Sequence, residues 1–587
     1  MTYLLADNIL SPLGETTDQN LRAVVAGRSA LKPYSDKYHL PEPFCAALFT
    51  ETNRPGTNRP IAVFKETNRP ISVDWLTTFE AMVLCSIKQT VAQTAIDLSS
   101  PRVVLVLSTT KGNIETLGDA RRDPHESLPG HAAEKIASLL GMVTSPIVVC
   151  NACISGVSAL ILASRLLESD AYDEAIVCGA DCQGAFIVSG FQSLKAISAS
   201  PCKPFDIERI GLNLGEAVST VILGKNPPED RSPEQIWRIE QGAVRNDAYH
   251  ISAPSKKGEG AYRTLQAVTR GGDIDDIALI NAHGTATLFN DQMESVAIER
   301  AGLSSVPVNA YKGFFGHTMG AAGILETVLT MKALDQGIII GTKNFEEPGV
   351  SGRIHIVKDN QSTDKSRFIK MISGFGGNNA SILLAKGTAR QETVLQNGHH
   401  GSFSGRVKHH VVITPGQVEV DGRRLAVEKG DTPFLTALYK RYIDDYPKFY
   451  KMDMLCRLGF VASELLLQAE GDSSHEGLDD RAVILFNRSS SLASDIKYQA
   501  TISDADNFFP SPSLFVYTLP NIVTGEIALR HHYYGETSFF ILPERDDEQM
   551  DRIVQAEMLD PATSSVLTGW VDYEQEDQWI ADLKIIE

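Results

Sequence analysis

The sequence has few cationic residues for its length and no long apolar run. Lys and Arg number 54 against 73 Asp and Glu, which gives a formal net charge of −19. Such an acidic surface gains little from a phosphate backbone or an anionic lipid, so nucleic acid is not expected as a partner. No segment approaches the roughly 18 consecutive apolar residues of a membrane-spanning helix, and the first residues lack a basic leader. We therefore expect a cytoplasmic protein with no membrane span.

Cysteine is also scarce, with 8 residues among 587. This number is too small for a disulfide framework, and the crowding of cysteines between positions 150 and 202 indicates one reduced region. Apolar residues make up 43% of the chain and charged residues 22%, values typical of globular proteins. A chain of this length exceeds what one hydrophobic core organises, so at least two structural units are expected.

Short β-branched runs alternate with helical stretches from about residue 76, which predicts an α/β protein with buried strands between helical layers. The runs of the first half lie at 103–107, 146–149, 174–177 and 219–223. The pattern restarts near residue 236, with runs at 277–280, 306–308, 338–340 and 381–384. We predict two similar halves, residues 1–235 and 236–386.

The remaining segments differ in composition. Residues 387–406 are polar and rich in glycine, which is typical of a flexible linker. Residues 407–587 resume an α/β pattern, with a helix predicted over 453–467 and strands over 481–486 and 563–571. A Thr-Asn-Arg-Pro repeat at 52–55, 57–60 and 67–70 suits an exposed loop, and we assign it no function.

The clearest candidate for chemistry is Cys153, which lies where an apolar strand runs through small residues into a helix. A thiol at a helix N-terminus faces unpaired N–H groups and the positive end of the helix dipole, and both favour the nucleophilic thiolate. The small neighbouring residues leave room for a thioester, and backbone N–H groups there could receive an oxyanion.

Other interpretations of Cys153 are open on local evidence. An isolated cysteine is more often a small core residue. Cys150 and Cys153 could also form a redox pair, or join Cys178 and Cys182 in a metal site. Against both, Cys150 is in register with an apolar strand, and ligand-like pairs in short loops are missing from this stretch of sequence.

Two histidines lie in loops rich in glycine and threonine. His283 follows an apolar strand, and His317 lies in a glycine-bracketed loop five residues after Lys312. Strand ends are where α/β folds present side chains. A lone histidine of this kind is more often structural, but two of them with an activated cysteine form a coherent set for acyl transfer.

The segment 372–380 is predicted to be a strand–turn–strand around Phe375. Its glycines permit backbone conformations that other residues avoid. The spacing nearly matches a dinucleotide-binding loop, but a strand rather than a helix follows, so dinucleotide binding is not supported.

With these motifs in this order, residues 1 to about 386 resemble the β-ketoacyl-acyl-carrier-protein synthase family of thiolase-fold condensing enzymes. Further matching segments are 11–14, 202–206, 215–217 and 290–291. The resemblance implies a duplicated α-β-α-β-α layered fold. It also implies that Cys153 accepts an acyl group and that a malonyl thioester then decarboxylates and attacks it, in fatty acid, polyene or polyketide-type synthesis.

The resemblance also implies roles for the site residues. His283 and His317 would bind the malonyl thioester oxygen, and Lys312 would order the site with Glu326 as its acidic partner. The N–H groups of Cys153 and Phe375 would form the oxyanion hole, with Phe375 as a gate to the acyl pocket. The residues expected to contact the pantetheine arm are Thr285 and Thr287.

The same resemblance implies the partners. Substrates would arrive on the phosphopantetheine of an acyl carrier protein, and neither a cofactor nor a metal is expected because two neutral imidazoles can stabilise the developing charge. A homodimer that pairs through the strand near the nucleophile is the expected assembly. Ile210 and Asn378 depart from the family pattern, and residues 40–75 match it poorly, which leaves substrate choice open.

Residues 511–526 resemble the nucleophile region of a synthase N-terminal half. Setting Gly525 against Gly156 places Ile522 opposite Cys153. Isoleucine cannot attack a thioester, so residues 407–587 are predicted to be a degenerate half-thiolase-like domain, similar to the chain-length-factor partners of some condensing enzymes, with Cys456 in its core. Because half a thiolase would expose a sheet face, we expect this domain to dock on the synthase or on another subunit.

Two other functions are weighed against condensation. One is a cysteine-dependent acyltransferase or thioesterase, in which the paired histidines would have no malonyl-specific duty. The other is a non-catalytic chain-length or scaffold partner, which the retention of Cys153 with both histidines and Lys312 disfavours.

Overall fold

The structure is a computed structural model that describes residues 1–50, 54, 75–228, 232, 235–387, 405–427, 432–471 and 480–587. The Thr-Asn-Arg-Pro repeats, apart from Arg54, and most of the predicted linker lie outside the described residues. In the described part of the chain, no helix is both long and apolar enough to span a bilayer. The cytoplasmic location stays a prediction.

The N-terminal half, residues 1–235, contains strands and helices in alternation. Its strands are β1 (Thr2–Leu10), β2 (Lys32–Tyr34), β3 (Phe44–Ala47), β4 (Val103–Ser108), β5 (Ile147–Val149), β6 (Glu174–Asp181), β7 (Leu214–Gly215) and β8 (Ala217–Gly224). Its helices are α1 (Thr17–Val25), α2 (Thr78–Val91), α3 (Pro129–Leu140), α4 (Ser155–Glu168) and α5 (Ala185–Ser193).

The second half, residues 236–386, repeats this plan. Its strands are β9 (Trp237–Asn246), β10 (Leu279–Asn281), β11 (Pro307–Asn309), β12 (Ile338–Ile339), β13 (His355–Ile356), β14 (Gln361–Ser362), β15 (Arg367–Ser373) and β16 (Asn378–Lys386). Its helices are α6 (Glu259–Thr269), α7 (Leu288–Arg300), α8 (Lys312–Phe315) and α9 (Ala322–Asp335). The predicted strand at 338–340 is only the short β12, which pairs with β14 outside the main sheet.

The described residues of the C-terminal unit, residues 407–587, also form strands and helices. Its strands are β17 (Val407–Thr414), β18 (Gln417–Val420), β19 (Arg423–Arg424), β20 (Arg481–Asn487), β21 (Thr537–Ile541), β22 (Ser565–Gln575) and β23 (Gln578–Ile586). Its helices are α10 (Phe434–Tyr442), α11 (Met454–Glu470), α12 (Leu492–Ala500), α13 (Pro512–Tyr517), α14 (Ile522–His531) and α15 (Asp547–Glu557).

One strand order occurs three times. It is β5-β4-β6-β8-β1 in the N-terminal half, β11-β10-β15-β16-β9 in the second half and β21-β20-β22-β23-β17 in the C-terminal unit. The strands β4 and β20 are buried at every residue and are apolar except at Ser108, Arg481 and Asn487, because helices cover both faces of the sheet. The expected α/β class and thiolase-like duplication are therefore confirmed, and a third copy of the same topology is added.

The C-terminal unit docks on the strand that leads to Cys153. Its strand β21 pairs antiparallel with β5, Phe540 opposite Val149 and Ile541 opposite Val148. Because β4 occupies the other edge of β5, both edges of this strand are filled within one chain. The prediction that the C-terminal unit docks on the rest of the chain is confirmed by this pairing. The pairing fills the edge of β5 at which the expected homodimer would pair, and the homodimer itself stays a prediction.

The alignment of residues 511–526 with the nucleophile region is also wrong. This segment forms α13 and α14 and precedes β21, whereas the strand order makes β21 the counterpart of β5. The position of the nucleophile turn therefore falls at residues 542–546, whose sequence is Leu-Pro-Glu-Arg-Asp. The unit still lacks a cysteine there, and Cys456 is buried in α11 as expected.

Candidate active site

Cys153 lies in a tight turn between β5 and α4. The N–H of Asn151 donates to the Ser155 hydroxyl at 2.8 Å, and that hydroxyl donates to the carbonyl of Ala152 at 2.6 Å. Ala152 has a φ of 48°, a conformation that costs a non-glycine residue energy and that recurs at functional sites. This geometry directs the thiol away from the sheet and places it just before the N-terminus of α4.

The first turns of α4 and α9 pack closely against each other here because each contains a glycine at the contact. A Cβ at Gly156 would lie 2.9 Å from the carbonyl oxygen of Gly320, and one at Gly323 would lie 2.5 Å from the N atom of Val157. A side chain at either glycine would separate α4 from the start of α9. Close contact between these helix starts brings His317, just before α9, to Cys153.

The three predicted residues converge in space. The Sγ of Cys153 and one ring nitrogen each of His283 and His317 lie within 4.8 Å of one another. The two imidazole rings are 5.0 Å apart and nearly perpendicular. All three side chains are buried, although they come from loops of both halves.

The two histidines are neutral and carry unused hydrogen-bonding nitrogens. Burial, and next the nearby Lys312 ammonium, holds the pKa of both rings well below the usual value. The Nδ1 of His317 accepts from the N–H of Met319 at 3.4 Å, which assigns the proton of the neutral ring to Nε2. His317 Nε2 and His283 Nδ1 are buried without a partner, so a substrate oxygen could satisfy them.

The electrostatic environment of Cys153 differs from the sequence prediction. Burial raises the pKa of its thiol to about 12, while the Lys312 ammonium and the N–H groups of Cys153 and Phe375 act in the opposite direction. The helix terminus is present as predicted, but desolvation outweighs it in the closed site. The thiol in this structure is therefore protonated at neutral pH.

Lys312 belongs to a buried group that the sequence revealed only in part. Its Nζ lies 2.5 Å from one carboxylate oxygen of Glu326, and Nζ of Lys370 lies 2.5 Å from the other. Lys370 also donates to the carbonyl of Ala282, next to His283, at 3.1 Å. The predicted Lys312–Glu326 contact is present. Lys370 was missed, although a lysine inside the apolar strand β15 was a signal.

Phe375 lies at the boundary of two cavities that share Cys153. The first is a cleft of about 420 Å³, whose lining includes His283, His317, Thr285 and Thr287. The threonine hydroxyls are 2.9 Å apart. The second, which we name the acyl chamber, has a volume of only about 10 Å³, which is room for about one water molecule.

The acyl chamber is walled in part by the C-terminal unit, a feature that the sequence did not indicate. Phe515, Thr518 and Leu519 line it opposite Cys153. The Phe515 ring packs against Phe191 at 5.4 Å between centroids. A Cβ at Gly190 would overlap this ring at 2.1 Å, so a glycine is required beside it.

The C-terminal unit also contacts the turn that carries Phe375. The side-chain amide of Asn521 donates to the carbonyl of Phe375 at 2.9 Å. A Cβ at Gly525 would lie 2.5 Å from the carbonyl oxygen of Gly376, so the helix α14 packs directly on this backbone. The C-terminal unit therefore helps to hold the backbone of the Phe375 turn in position.

A buried ion pair crosses the junction at the far side of the chamber. Lys111 Nζ is 2.6 Å from Asp495 Oδ1, and it also donates to the Ser491 hydroxyl and the Thr518 carbonyl. Burial raises the pKa of Asp495 to about 6, and Lys111 opposes that shift. Lys111 itself lines the chamber, so the pair with Asp495 fixes a side chain of the chamber wall.

The positions of the cysteines bear on the two alternative interpretations, a redox pair and a metal site. All eight lie within the described residues, and each is a free thiol. The Sγ of Cys150 donates to the carbonyl of Thr110 and that of Cys178 accepts from Thr220, so neither bonds Cys153. Among the described residues, Cys153 with His283 and His317 is the group close enough to hold a metal ion. The predicted absence of a metal or cofactor stays a prediction.

The repeated strand order and the cysteine at the strand–helix junction define a thiolase-like fold. Residues 6–227 match the N-terminal domain of the β-ketoacyl synthase family, and residues 237–346 match its C-terminal domain. These segments make up more than half of the chain, which therefore belongs to the β-ketoacyl synthase family.

Curated relatives share part of this chain. A 3-oxoacyl-[acyl-carrier-protein] synthase 2 of Rhizobium meliloti (strain 1021) is 33% identical over 255 residues, which are 41% of this chain and 60% of the relative. The tetracenomycin polyketide synthase ketoacyl synthase alpha subunit of Streptomyces glaucescens is 29% identical over 276 residues, 44% of this chain and 64% of the relative. The matched region thus spans about 60% of the length of these relatives.

Solved structures show the same fold. The PfaC ketosynthase–chain length factor superposes with a TM-score of 0.73 over 97% of this chain and 74% of its own length, at 16% identity. The ketosynthase ApeO, in complex with its chain length factor ApeC from Xenorhabdus doucetiae, has a TM-score of 0.55, 24% identity, and coverage of 66% of this chain and 98% of its own. The fold of both the synthase part and the C-terminal unit therefore has precedent.

Proposed function

We propose that this protein is a 3-oxoacyl-acyl-carrier-protein synthase that condenses a short acyl group on Cys153 with a malonyl thioester. The observation that carries the proposal is the convergence of the Cys153 thiol with two neutral imidazoles in residues that all line one cleft. Neutral donors can bind a developing enolate oxygen without a metal. The cleft volume of about 420 Å³ suits an extended ligand such as a pantetheine arm.

The first half-reaction is acyl transfer to Cys153. Its sulfur attacks the thioester carbonyl, the new S–C bond forms, and the bond to pantetheine breaks. The Cys153 proton ends on the departing pantetheine thiolate. The N–H groups of Cys153 and Phe375, which act on the Sγ of Cys153, are placed to bind the carbonyl oxygen as it gains charge.

The second half-reaction forms the carbon–carbon bond. A malonyl thioester in the cleft loses CO₂, and the electron pair of the broken bond forms an enolate whose oxygen accepts from the imidazoles. The enolate carbon attacks the acyl carbonyl on Cys153, the S–C bond to Cys153 breaks, and the thiolate takes up a proton. Lys312 and Lys370 surround the histidines with positive charge, which favours this anionic stage.

The C-terminal unit acts in this proposal as a fixed wall. It supplies Phe515, Thr518 and Leu519 to a chamber with space for about one water molecule, so the bound acyl group is short unless these side chains move. This role resembles that of a chain length factor, but the wall belongs to the same chain as Cys153 and the chamber that it bounds is small.

Mass spectrometry tests the proposal. The protein is incubated with acetyl-carrier protein and then with malonyl-carrier protein. We expect one acetyl group on Cys153 and then an acetoacetyl-carrier protein product, with CO₂ released. An adduct that transfers to water or thiols without a condensed product would favour the acyltransferase or thioesterase alternative. The absence of both adduct and malonyl decarboxylation would favour the scaffold alternative.

A further inference from the structure

The strand β21 of the C-terminal unit is hydrogen-bonded to the turn that carries Cys153. The N–H of Phe539 in β21 donates to the side-chain oxygen of Asn151 at 2.6 Å, and the carbonyl of Phe539 accepts from the N–H of Cys150 at 3.1 Å. Asn151 is fully buried and lies two residues before Cys153. The C-terminal unit therefore holds the backbone that leads to the N–H of Cys153.

The same strand also contacts the turn that carries Phe375. The hydroxyl of Thr537 in β21 donates to the side-chain oxygen of Asn378 and accepts from the side-chain amide of Asn246 at 2.9 Å. That amide also lies 2.8 Å from the carbonyl oxygen of Gly376. Because these three side chains are buried, the Thr537 hydroxyl belongs to a closed polar group at the end of the Phe375 turn.

The Phe375 turn depends on such contacts because glycine follows its phenylalanine. Gly376 and Gly377 have φ values of 89° and 75°, and glycine adopts several other conformations at similar energy. A second contact from the C-terminal unit limits this freedom, since the buried amide of Asn521 donates to the carbonyl of Phe375 at 2.9 Å. Two side chains of the C-terminal unit, from β21 and from the segment before α14, therefore hold this turn.

The two turns carry the two donors of the proposed oxyanion hole and contact each other, because a Cβ at Gly374 would lie 3.1 Å from the N atom of Cys153. We propose that the C-terminal unit positions the N–H groups of Cys153 and Phe375 for acyl transfer, with Thr537 and Asn521 as positioning residues. The inference rests on the proposed function, in which these N–H groups bind the thioester oxygen as it gains charge. Donors that are fixed before the reaction lower its barrier, since no reorganisation is needed when the charge develops.

The test compares two reactions of the same thiol. Acylation by acetyl-pantetheine places negative charge on a carbonyl oxygen, whereas methyl methanethiosulfonate transfers a methylthio group to Cys153 and has no carbonyl. Mass spectrometry measures both second-order rates at Cys153, and urea denaturation checks that each variant is folded under these conditions. We expect the ratio of acylation to methylthiolation to fall about tenfold in Asn521→Leu and about threefold in Thr537→Val. These losses are smaller than the roughly hundredfold or greater loss from removing an oxyanion donor outright.

A matched control is Thr568→Val in β22 of the same unit. Thr568 is buried, and its hydroxyl has no hydrogen-bond partner among the described residues, so this variant is expected to keep the wild-type ratio. Thr537→Val replaces only a hydroxyl by a methyl group, so it decides the test if Asn521→Leu does not fold.

A fall of both rates by the same factor would mean that the contacts only stabilise the junction, and it would overturn the inference. An unchanged ratio with unchanged rates would overturn it as well. Failure of acetyl-pantetheine to modify wild-type Cys153 would instead count against the proposed function, so the two failures are distinguishable.

Discussion

The N-terminal half and the C-terminal unit have the same strand order, but only the N-terminal half has a cysteine in the turn after the corresponding strand. After β5, the N-terminal half continues into Cys153 and into α4, in which every residue except Glu168 is buried. After β21, the C-terminal unit continues into a Leu-Pro-Glu-Arg-Asp turn and into α15, whose Asp547, Glu548 and Asp551 are exposed. The shared topology is sufficient for β5 and β21 to pair. A nucleophile requires in addition the turn after β5 that carries Cys153.

The comparison also shows where the C-terminal unit contributes to the site. It supplies no counterpart of Cys153, but its α13 and α14 form a wall of the acyl chamber and contact the Phe375 turn. A unit that has lost the nucleophile therefore still determines the shape of the space beside it. Each of the following predictions alters one unit or the junction between them.

The largest expected effect is that of Cys153→Ala. Removing the only proposed nucleophile should lower the condensation rate by at least about a thousandfold, because no acyl-enzyme can form. The matched variant is Cys456→Ala in the C-terminal unit, which should stay within about twofold. Product formation by mass spectrometry measures both. Comparable losses of condensation rate in Cys153→Ala and Cys456→Ala would contradict the assignment of the nucleophile to the N-terminal half alone.

Next is Lys111→Met at the junction. This change leaves Asp495 buried without its partner and should lower the free energy of unfolding by about 3–5 kcal/mol. The double variant Lys111→Met/Asp495→Leu should recover most of the loss, as measured by urea denaturation. The control Lys135→Met removes a partly exposed pair with Glu80 and should cost about 1 kcal/mol or less. Equal losses of unfolding free energy in Lys111→Met and Lys135→Met would contradict the burial of the Lys111–Asp495 pair at the junction.

The junction should also respond to acid through Asp560 of the C-terminal unit, whose buried carboxylate lies 3.1 Å from Arg165 and 2.7 Å from Arg245. Burial raises the pKa of this carboxyl, but Arg245 and Arg165 outweigh burial and lower the pKa to about 2. Because the folded pKa is below the unfolded value, the stabilisation is complete above about pH 4 and is lost as the pH falls toward 2. Asp560→Asn should therefore cost about 2 kcal/mol in the free energy of unfolding at pH 7, and less at pH 3.

Asp359→Asn, at an exposed site, is the control for this measurement and should change the unfolding free energy by at most about 0.5 kcal/mol. A cost of Asp560→Asn that is the same at pH 7 and pH 3 would show that the carboxylate charge is not what stabilises the junction.

The smallest expected effect is on chain length. Phe515→Leu replaces the ring at the chamber wall by a smaller apolar group. The rate of Cys153 acylation by hexanoyl relative to acetyl thioester should rise about tenfold, since each accommodated methylene is worth about 1 kcal/mol. Phe508→Leu, which alters a partly buried ring that does not line the chamber, should leave the ratio unchanged. An equal hexanoyl-to-acetyl rate ratio in the two variants would mean that Phe515 does not limit the length of the acyl group.

The sequence predicted those features whose chemistry is local. Cys153, His283 and His317 each lie in a short motif with its own strand and turn, so their convergence could be expected from the order and spacing of those motifs. Lys370 could have been found from its position in an apolar strand. The pKa of Cys153 could not be predicted, because it depends on how completely the folded site excludes water.

Contacts between distant segments explain the errors. Phe515 lines the chamber and Asp495 pairs with Lys111 because the C-terminal unit docks on the rest of the chain through β21 and β5, and no local pattern in residues 491–519 indicates that pairing. The same pairing fills the edge of β5 that the expected homodimer contact would use, and the homodimer stays a prediction. The mistaken alignment of Ile522 with Cys153 arose because a turn followed by small residues can join two helices as well as a strand and a helix.

Antiparallel pairing of β5 with β21 places two unlike units in a fixed ratio of one to one. Separate subunits of similar shape can assemble in like as well as unlike pairs, whereas a tethered unit meets its neighbour at a high effective concentration. Under the proposed function, each molecule then has one reactive centre, at Cys153. Titration with a thiol-specific acylating agent that reaches only the cleft should accordingly saturate at one equivalent for each 64.0 kDa chain.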